Sequence, residues 1–261
     1  MKIFKPYAQY LFLFTLTFAS FLAQANESDL DPLIQQAQMQ PNPDPLPGTD
    51  PYEAFNRPVF QFNLAFHEYI ASPISHAYLD YVPQPVQTGV SNFFNNLKMP
   101  LNALNHFLQG KGQAGLEGVM SFAINSVFGL GGLINIAKPA GLEPADNDFG
   151  KTLYKWGLWQ ESHYLVLPIL GSYTTRSLVG STLDPEINPI YYPDSELKQN
   201  KLPLTLGDKA ESYAQATPFI DDLKNQADPY IFAREAFLQY RKNELYDGNP
   251  PVETLDDFDF E

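Results

Sequence analysis

Apolar residues recur at spacings of three and four along much of the chain, the period of a helix packed on one face. Phe55, Val59, Phe62, Phe66 and Tyr69 form one stripe, and Val86, Val90, Phe93 and Leu97 a second. Leu101, Leu104 and Leu108 form a third, closed by Gly110 as a C-cap. A fourth, Tyr230, Ala233, Phe237 and Tyr240, has Arg234, Glu235, Gln239 and Arg241 as its polar complement. Asp50-Pro51, Thr217-Pro218 and Asp228-Pro229 read as helix starts. In each, a capping oxygen precedes a ring whose missing N–H costs nothing in the first turn. Pro58 is expected to kink or divide the first helix, and Pro85 and Pro100 to bound the second stripe. Strand signals are poor: residues 164–167 are the best candidate, and Pro168 ends them at once. The pattern predicts an all-α fold of short, proline-kinked amphipathic helices.

Two stretches are too apolar for a one-sided helix. Phe60 and Leu64 lie off the first stripe, which predicts that they face a membrane. Residues 118–137 carry no charge at all, a length near the roughly 18–20 residues of a membrane span. Gly129, Gly131 and Gly132 fall late in that run, flanked by Asn125 and Asn135. Clustered glycines break helices, so the run reads as a helix, a glycine-rich turn and a short return segment. A buried core helix would show the same periodicity; a segment embedded in one membrane leaflet is the other reading.

Composition favours the leaflet. Charged residues are 18% of the 261, against about 25% in ordinary soluble domains, while aromatics reach 14%. The formal net charge of −14 excludes a nucleic-acid binder, which needs a basic surface. Lys2 and Lys5, the apolar residues 10–22 and the small-x-small Ala23-Gln24-Ala25 mark residues 1–25 as a cleaved signal peptide. Residues 26–49 hold Pro32, Pro41, Pro43, Pro45 and Pro47 and read as a linker; residues 50–243 form the helical body. Residues 244–261, seven acids and no base, read as a solvated tail. There is no cysteine, hence no disulfide, no cysteine nucleophile and no lipid-modified N-terminal cysteine. Membrane attachment is therefore expected to come from the body, without lipidation.

Catalytic chemistry is thin. Gly89-Val90-Ser91-Asn92-Phe93 lacks the second glycine of a hydrolase elbow. Gly129-Leu130-Gly131-Gly132 is half a dinucleotide fingerprint that follows a helix instead of a strand. His67, His76, His106 and His163 include no pair at metal-binding helical spacing. No enzyme, cofactor or metal site is expected.

Ordered blocks then become recognisable. They are Asp50-Pro51-Tyr52-Glu53-Ala54-Phe55-Asn56-Arg57, Tyr81-Val82-Pro83-Gln84-Pro85-Val86 and Ser91-Asn92-Phe93-Phe94-Asn95-Asn96-Leu97. Asn125-Ser126-Val127-Phe128-Gly129-Leu130-Gly131-Gly132, Asp148-Phe149-Gly150-Lys151-Thr152-Leu153 and the segment 228–241 follow. From about Asp50 to Lys242 the chain resembles the MlaA (VacJ) family of outer-membrane phospholipid transport proteins. The resemblance implies an all-α ring in the periplasmic leaflet of the outer membrane, enclosing an amphipathic channel for phospholipid. It also implies two protein partners, a trimeric porin and a soluble periplasmic lipid carrier. The expected action is passive removal of misplaced outer-leaflet phospholipid, which maintains outer-membrane lipid asymmetry. Gly129 to Gly132 are expected to form a mobile gate, with Leu130, Leu133 and Ile134 as acyl-chain contacts; a static tight turn is the alternative. A porin-associated scaffold without lipid transfer and a lipid esterase are the competing functions. The chain departs from the family in lacking the lipobox cysteine and in carrying Asn135 where an aspartate is usual.

Overall fold

A computed structural model describes residues 50–191 and 200–250. The expected leader and linker, and the tail beyond Pro250, lie outside the described residues. The body is mostly helical, as the periodicity predicts. Helix α1 (Glu53–Phe66) passes through a π-helical turn (His67–Ala71) into α2 (Ser72–Tyr81). α3 (Gln84–Leu108) and α4 (Gly112–Val127) form a long helical hairpin. α5 (Phe149–Lys155) precedes strands β1 (Tyr164–Leu167) and β2 (Gly171–Thr174), followed by α6 (Thr175–Ile187), α7 (Lys201–Leu223) and α8 (Pro229–Leu245).

Local chemistry accounts for several boundaries. Asp228 caps α8 by accepting from Tyr230 N and Ile231 N, with Pro229 in the first turn. Thr174 and Ser177 form a reciprocal capping box at the start of α6, and Asp148 caps α5 through Lys151 N. Proline is a weaker punctuation than expected. α1 continues through Pro58, α3 through Pro100 and α7 through Pro218, so the expected start at Thr217 is not one. Thr217 lies inside α7, where its hydroxyl donates to Tyr213 O at 3.0 Å. The break in the first helix falls at the π-turn instead.

The sheet is the other departure. Residues 164–167 do form a strand, but one paired antiparallel with β2, Tyr164 opposite Thr174 and Leu167 opposite Gly171. The turn between them places Ile169 at φ 64°. The outer edge of β1 is closed by side chains of α1 in place of a third strand. Asn56 accepts from Val166 N at 2.8 Å and donates to Tyr164 O at 3.2 Å. Two helical turns on, Asn63 accepts from Ile169 N at 2.5 Å and donates to Leu167 O at 2.9 Å. Around this hairpin sits the apolar core: Phe60, Tyr164, Val166, Tyr213, Ile220, Tyr230 and Phe237.

The first and last helices clasp each other reciprocally. Arg57 of α1 donates to the α8 cap Asp228 at 2.9 Å, while Tyr230 of α8 donates to Asp50 at the head of α1. Arg57 also lies over the Tyr230 ring, 4.5 Å from its centroid. Asp-Pro-Tyr thus opens both partners.

Candidate functional site

In a water-soluble helix the apolar face packs inward and the polar face meets solvent. α3 and α4 reverse this. The buried residues of α3 are Gln87, Asn96, Asn102, Ala103, Asn105 and His106; those of α4 are Gly115, Gly118, Ser121 and Asn125. The large apolar side chains of Val86, Phe107, Leu116, Val119, Met120 and Val127, and of Phe128 at the end of α4, are exposed, the last two at 70%, while Val90, Phe93, Leu97, Leu101 and Leu104 are half-buried. Small residues let the two helices approach: a Cβ on Gly118 would stand 3.1 Å from that of Ala103.

The inward face of α3 is a polar seam. Gln87 accepts from Gln215 of α7 at 3.4 Å. Ser91 donates to Glu211, and Lys98 pairs with Asp208 at 2.7 Å. Asn102 donates to Asp146 at 3.2 Å, and Asn105 accepts from Thr152 at 2.7 Å. His106 donates through Nε2 to Ala145 O at 2.8 Å and accepts at Nδ1 from Asn147 at 3.1 Å, so its ring is held neutral. Burial also depresses the His106 pKa.

Charges from α5, α6, α7 and α8 continue the seam. Arg241 donates to Asp148 at 2.9 Å and to Glu244 at 2.6 Å, while Lys151 pairs with Glu244 at 3.1 Å. Burial alone would raise the Asp148 carboxyl, but Arg241 and Lys151 outweigh it and hold it at about 2. Burial, with the Asp148 charge nearby, pushes the neighbouring Asp184 up to about 8. Burial brings the Lys209 ammonium down to about 8. The seam therefore alternates charge and neutral acid behind the exposed apolar side chains of α3 and α4. Glu244 and Asp247, expected to open a solvated tail, belong to the body instead; Asp247 pairs with Lys111 at 2.6 Å.

The uncharged run folds as a helix, a turn and a return segment, as its glycines predict. Leu130, Gly131 and Gly132 all take positive φ, at 55°, 74° and 97°. Gly129 is buried, and a Cβ there would stand 2.1 Å from Ile134 O; one on Gly132 would stand 2.7 Å from the Asn96 side chain. Leu130, Leu133 and Ile134 are exposed. The return segment docks through amides. Asn125 accepts from Ile136 N at 2.8 Å and Ala137 N at 2.9 Å, and Asn92 donates to Leu133 O at 3.2 Å.

Two expectations are corrected by burial. Phe60 is 4% exposed and packs edge-on against Tyr230, 5.6 Å between ring centroids; Leu64 packs against the same core. Neither faces a membrane. Apolar residues off the main stripe of α1 are those that meet the hairpin, while the stripe members Phe55, Phe62 and Tyr69 are exposed. The polar seam itself was not foreseen. Its signal was present: Gln87, Ser91, Lys98, Asn102 and Asn105 recur at helical spacing, a polar stripe as regular as the apolar one.

Among the described residues, no helix is long and apolar enough to cross a membrane. The family model of the MlaA lipoprotein matches residues 48–244. The chain is 35% identical to the intermembrane phospholipid transport system lipoprotein MlaA of Escherichia coli (strain K12), over 73% of this chain and 76% of that protein. It is 32% identical to the protein of the same name from Haemophilus influenzae, over 76% of this chain and 80% of that one. A solved structure, from work on the structural basis for maintenance of bacterial outer membrane lipid asymmetry, aligns with a TM-score of 0.63 and 34% identity. It covers 77% of this chain and 99% of that one. The family and these relatives are lipoproteins by name, which overturns the expectation of a protein that is not lipidated. That expectation rested on one absent residue type and on no feature of the fold. The family model spans residues 48–244, relatives and a solved structure agree with it, and the chain belongs to the MlaA lipoprotein family.

Proposed function

We propose that this protein is a passive phospholipid conduit of the outer membrane, taking misplaced phospholipid from the outer leaflet and maintaining lipid asymmetry. The observation that carries the reading is the inverted packing of α3 and α4, with amides and charges inward and large apolar side chains outward. A headgroup dragged through hydrocarbon costs several kcal/mol unless polar groups meet it. A polar seam lowers that barrier, while the apolar exterior keeps the helices among acyl chains; no nucleotide and no catalytic residue is needed. On this reading the helices surround the seam as a ring lying in the periplasmic leaflet. The lipid passes on to a soluble periplasmic carrier, beside a trimeric porin, as the family resemblance implies.

The hairpin tip, Gly129 to Ile134, is proposed as the gate. Its three exposed apolar residues can touch acyl chains, and its glycines hold the chain where other residues are strained. The amide bonds of Asn125 tie the return segment to α4, so movement would carry the tip as one body instead of unravelling it.

The test is outer-leaflet phospholipid measured in cells lacking the protein. It is expected to rise above that of the parent and to return when the gene is restored. An unchanged outer leaflet would overturn the reading in favour of a scaffold.

A further inference from the structure

Glu211 sits where α2, α3 and α7 meet. It is 7% exposed; Ser91 and Gln215 donate to its carboxylate, yet Oε1 has no partner. The hydroxyl of Tyr78, on α2, lies in the field of this carboxylate and is also buried without a partner. One turn away on α7, Asp208 holds Lys98 at 2.7 Å. Buried polar atoms normally find partners, so two orphans on the packed helices α2 and α7 point to a missing one.

The chemistry of the orphans defines it. A carboxylate oxygen only accepts, a phenol can accept, and an ammonium supplies three donors and no acceptor. Lys98 of α3, held by Asp208 one turn from Glu211 along α7, supplies the charge that a phosphate needs. Ammonium and phosphate joined by two carbons match that order of acceptor and cation. A polyol headgroup has no positive charge to offer Glu211.

We propose that Glu211, Tyr78 and Lys98 form a headgroup subsite that selects phospholipids carrying an ammonium beside the phosphate over those carrying a neutral polyol. The proposal rests on the conduit reading and adds its substrate preference. Burial raises the Glu211 carboxyl, and an incoming ammonium would restore its charged form.

The purified full-length protein is incubated with vesicles of phosphatidylethanolamine and phosphatidylglycerol in equal amounts, then repurified, and its bound lipid is quantified by mass spectrometry. The wild type should enrich phosphatidylethanolamine about tenfold, the worth of one charge-assisted hydrogen bond. Glu211→Gln should still hold lipid but lose that preference, and Tyr78→Phe, which carries the test if the first variant does not fold, should reduce it. Wild type without preference, or variants that retain it, would overturn the subsite and leave the conduit standing. No lipid on any protein would overturn both. Soluble O-phosphoethanolamine should not displace the lipid; displacement at matched concentration would assign the site to a free amine and sink the proposal.

Discussion

Asn56 meets the hairpin with both ends of its amide, at 0% exposure. Asn56→Ala would strand Val166 N and Tyr164 O in the core, each costing about 1–3 kcal/mol when unsatisfied. We expect a loss of about 2–4 kcal/mol in denaturant unfolding, against less than about 1 kcal/mol for Asn92→Ala, whose bond lies at an exposed edge. Asp184 gives the opposite sign. Its folded-state pKa is raised to about 8, so the unfolded chain ionises first as pH climbs. Stability from this group is present below the ordinary carboxylate range and is lost as pH rises toward 8. Asp184→Asn keeps the oxygen that accepts from Phe149 N at 3.1 Å and removes the ionisation. The variant should be more stable than the parent by about 1–4 kcal/mol at pH 8, and should show a flatter profile between pH 4 and 8. Equal stability at both ends of that window would mean that Asp184 titrates normally.

At the scale of elements, the α3–α4 hairpin was the most legible part of the sequence in outline and the least in orientation. Period three-and-four gave its helices and the glycine cluster gave its turn. Periodicity does not say which face is inside; the polar face is inside here, which on the conduit reading follows from an exterior of acyl chains in place of water. β1 was visible as a run of four residues; its partner Gly171-Ser172-Tyr173-Thr174 carries no alternation and became a strand only through its neighbours. The turn itself separates two roles. Gly131 faces open space, so Gly131→Ala pays only for its φ of 74°, about 1–2 kcal/mol. Gly132→Ala adds a clash with Asn96 and would lift the tip from α3. A moving gate predicts that Gly132→Ala impairs outer-leaflet clearance at matched protein level, with Gly131→Ala milder. A static turn predicts loss of protein or no effect in both.

For the whole molecule, the conduit reading makes the inversion of polar and apolar surfaces a means of holding a membrane. Each large side chain fully buried in acyl chains is worth about 1.5–3 kcal/mol. Vesicle flotation of the protein should therefore be insensitive to high salt. Exchanging the exposed Val127 and Phe128 for serine should weaken it, while exchanging the buried Ser121 for alanine should not. Flotation abolished by salt alone would make the association electrostatic. The clasp between the first and last helices acts on the same scale. It ties Arg57 to Asp228, positions 171 residues apart, and so gives the body a second connectivity beside the covalent one. Closing so long a loop grows costlier only slowly, by about 0.6 kcal/mol for each doubling of its length. A nick in the exposed turn around Leu158 would therefore leave two fragments that still present their mating ends to each other. On that count the molecule should tolerate a cut, or a permuted chain order, at this turn, because the clasped helices stay joined across it.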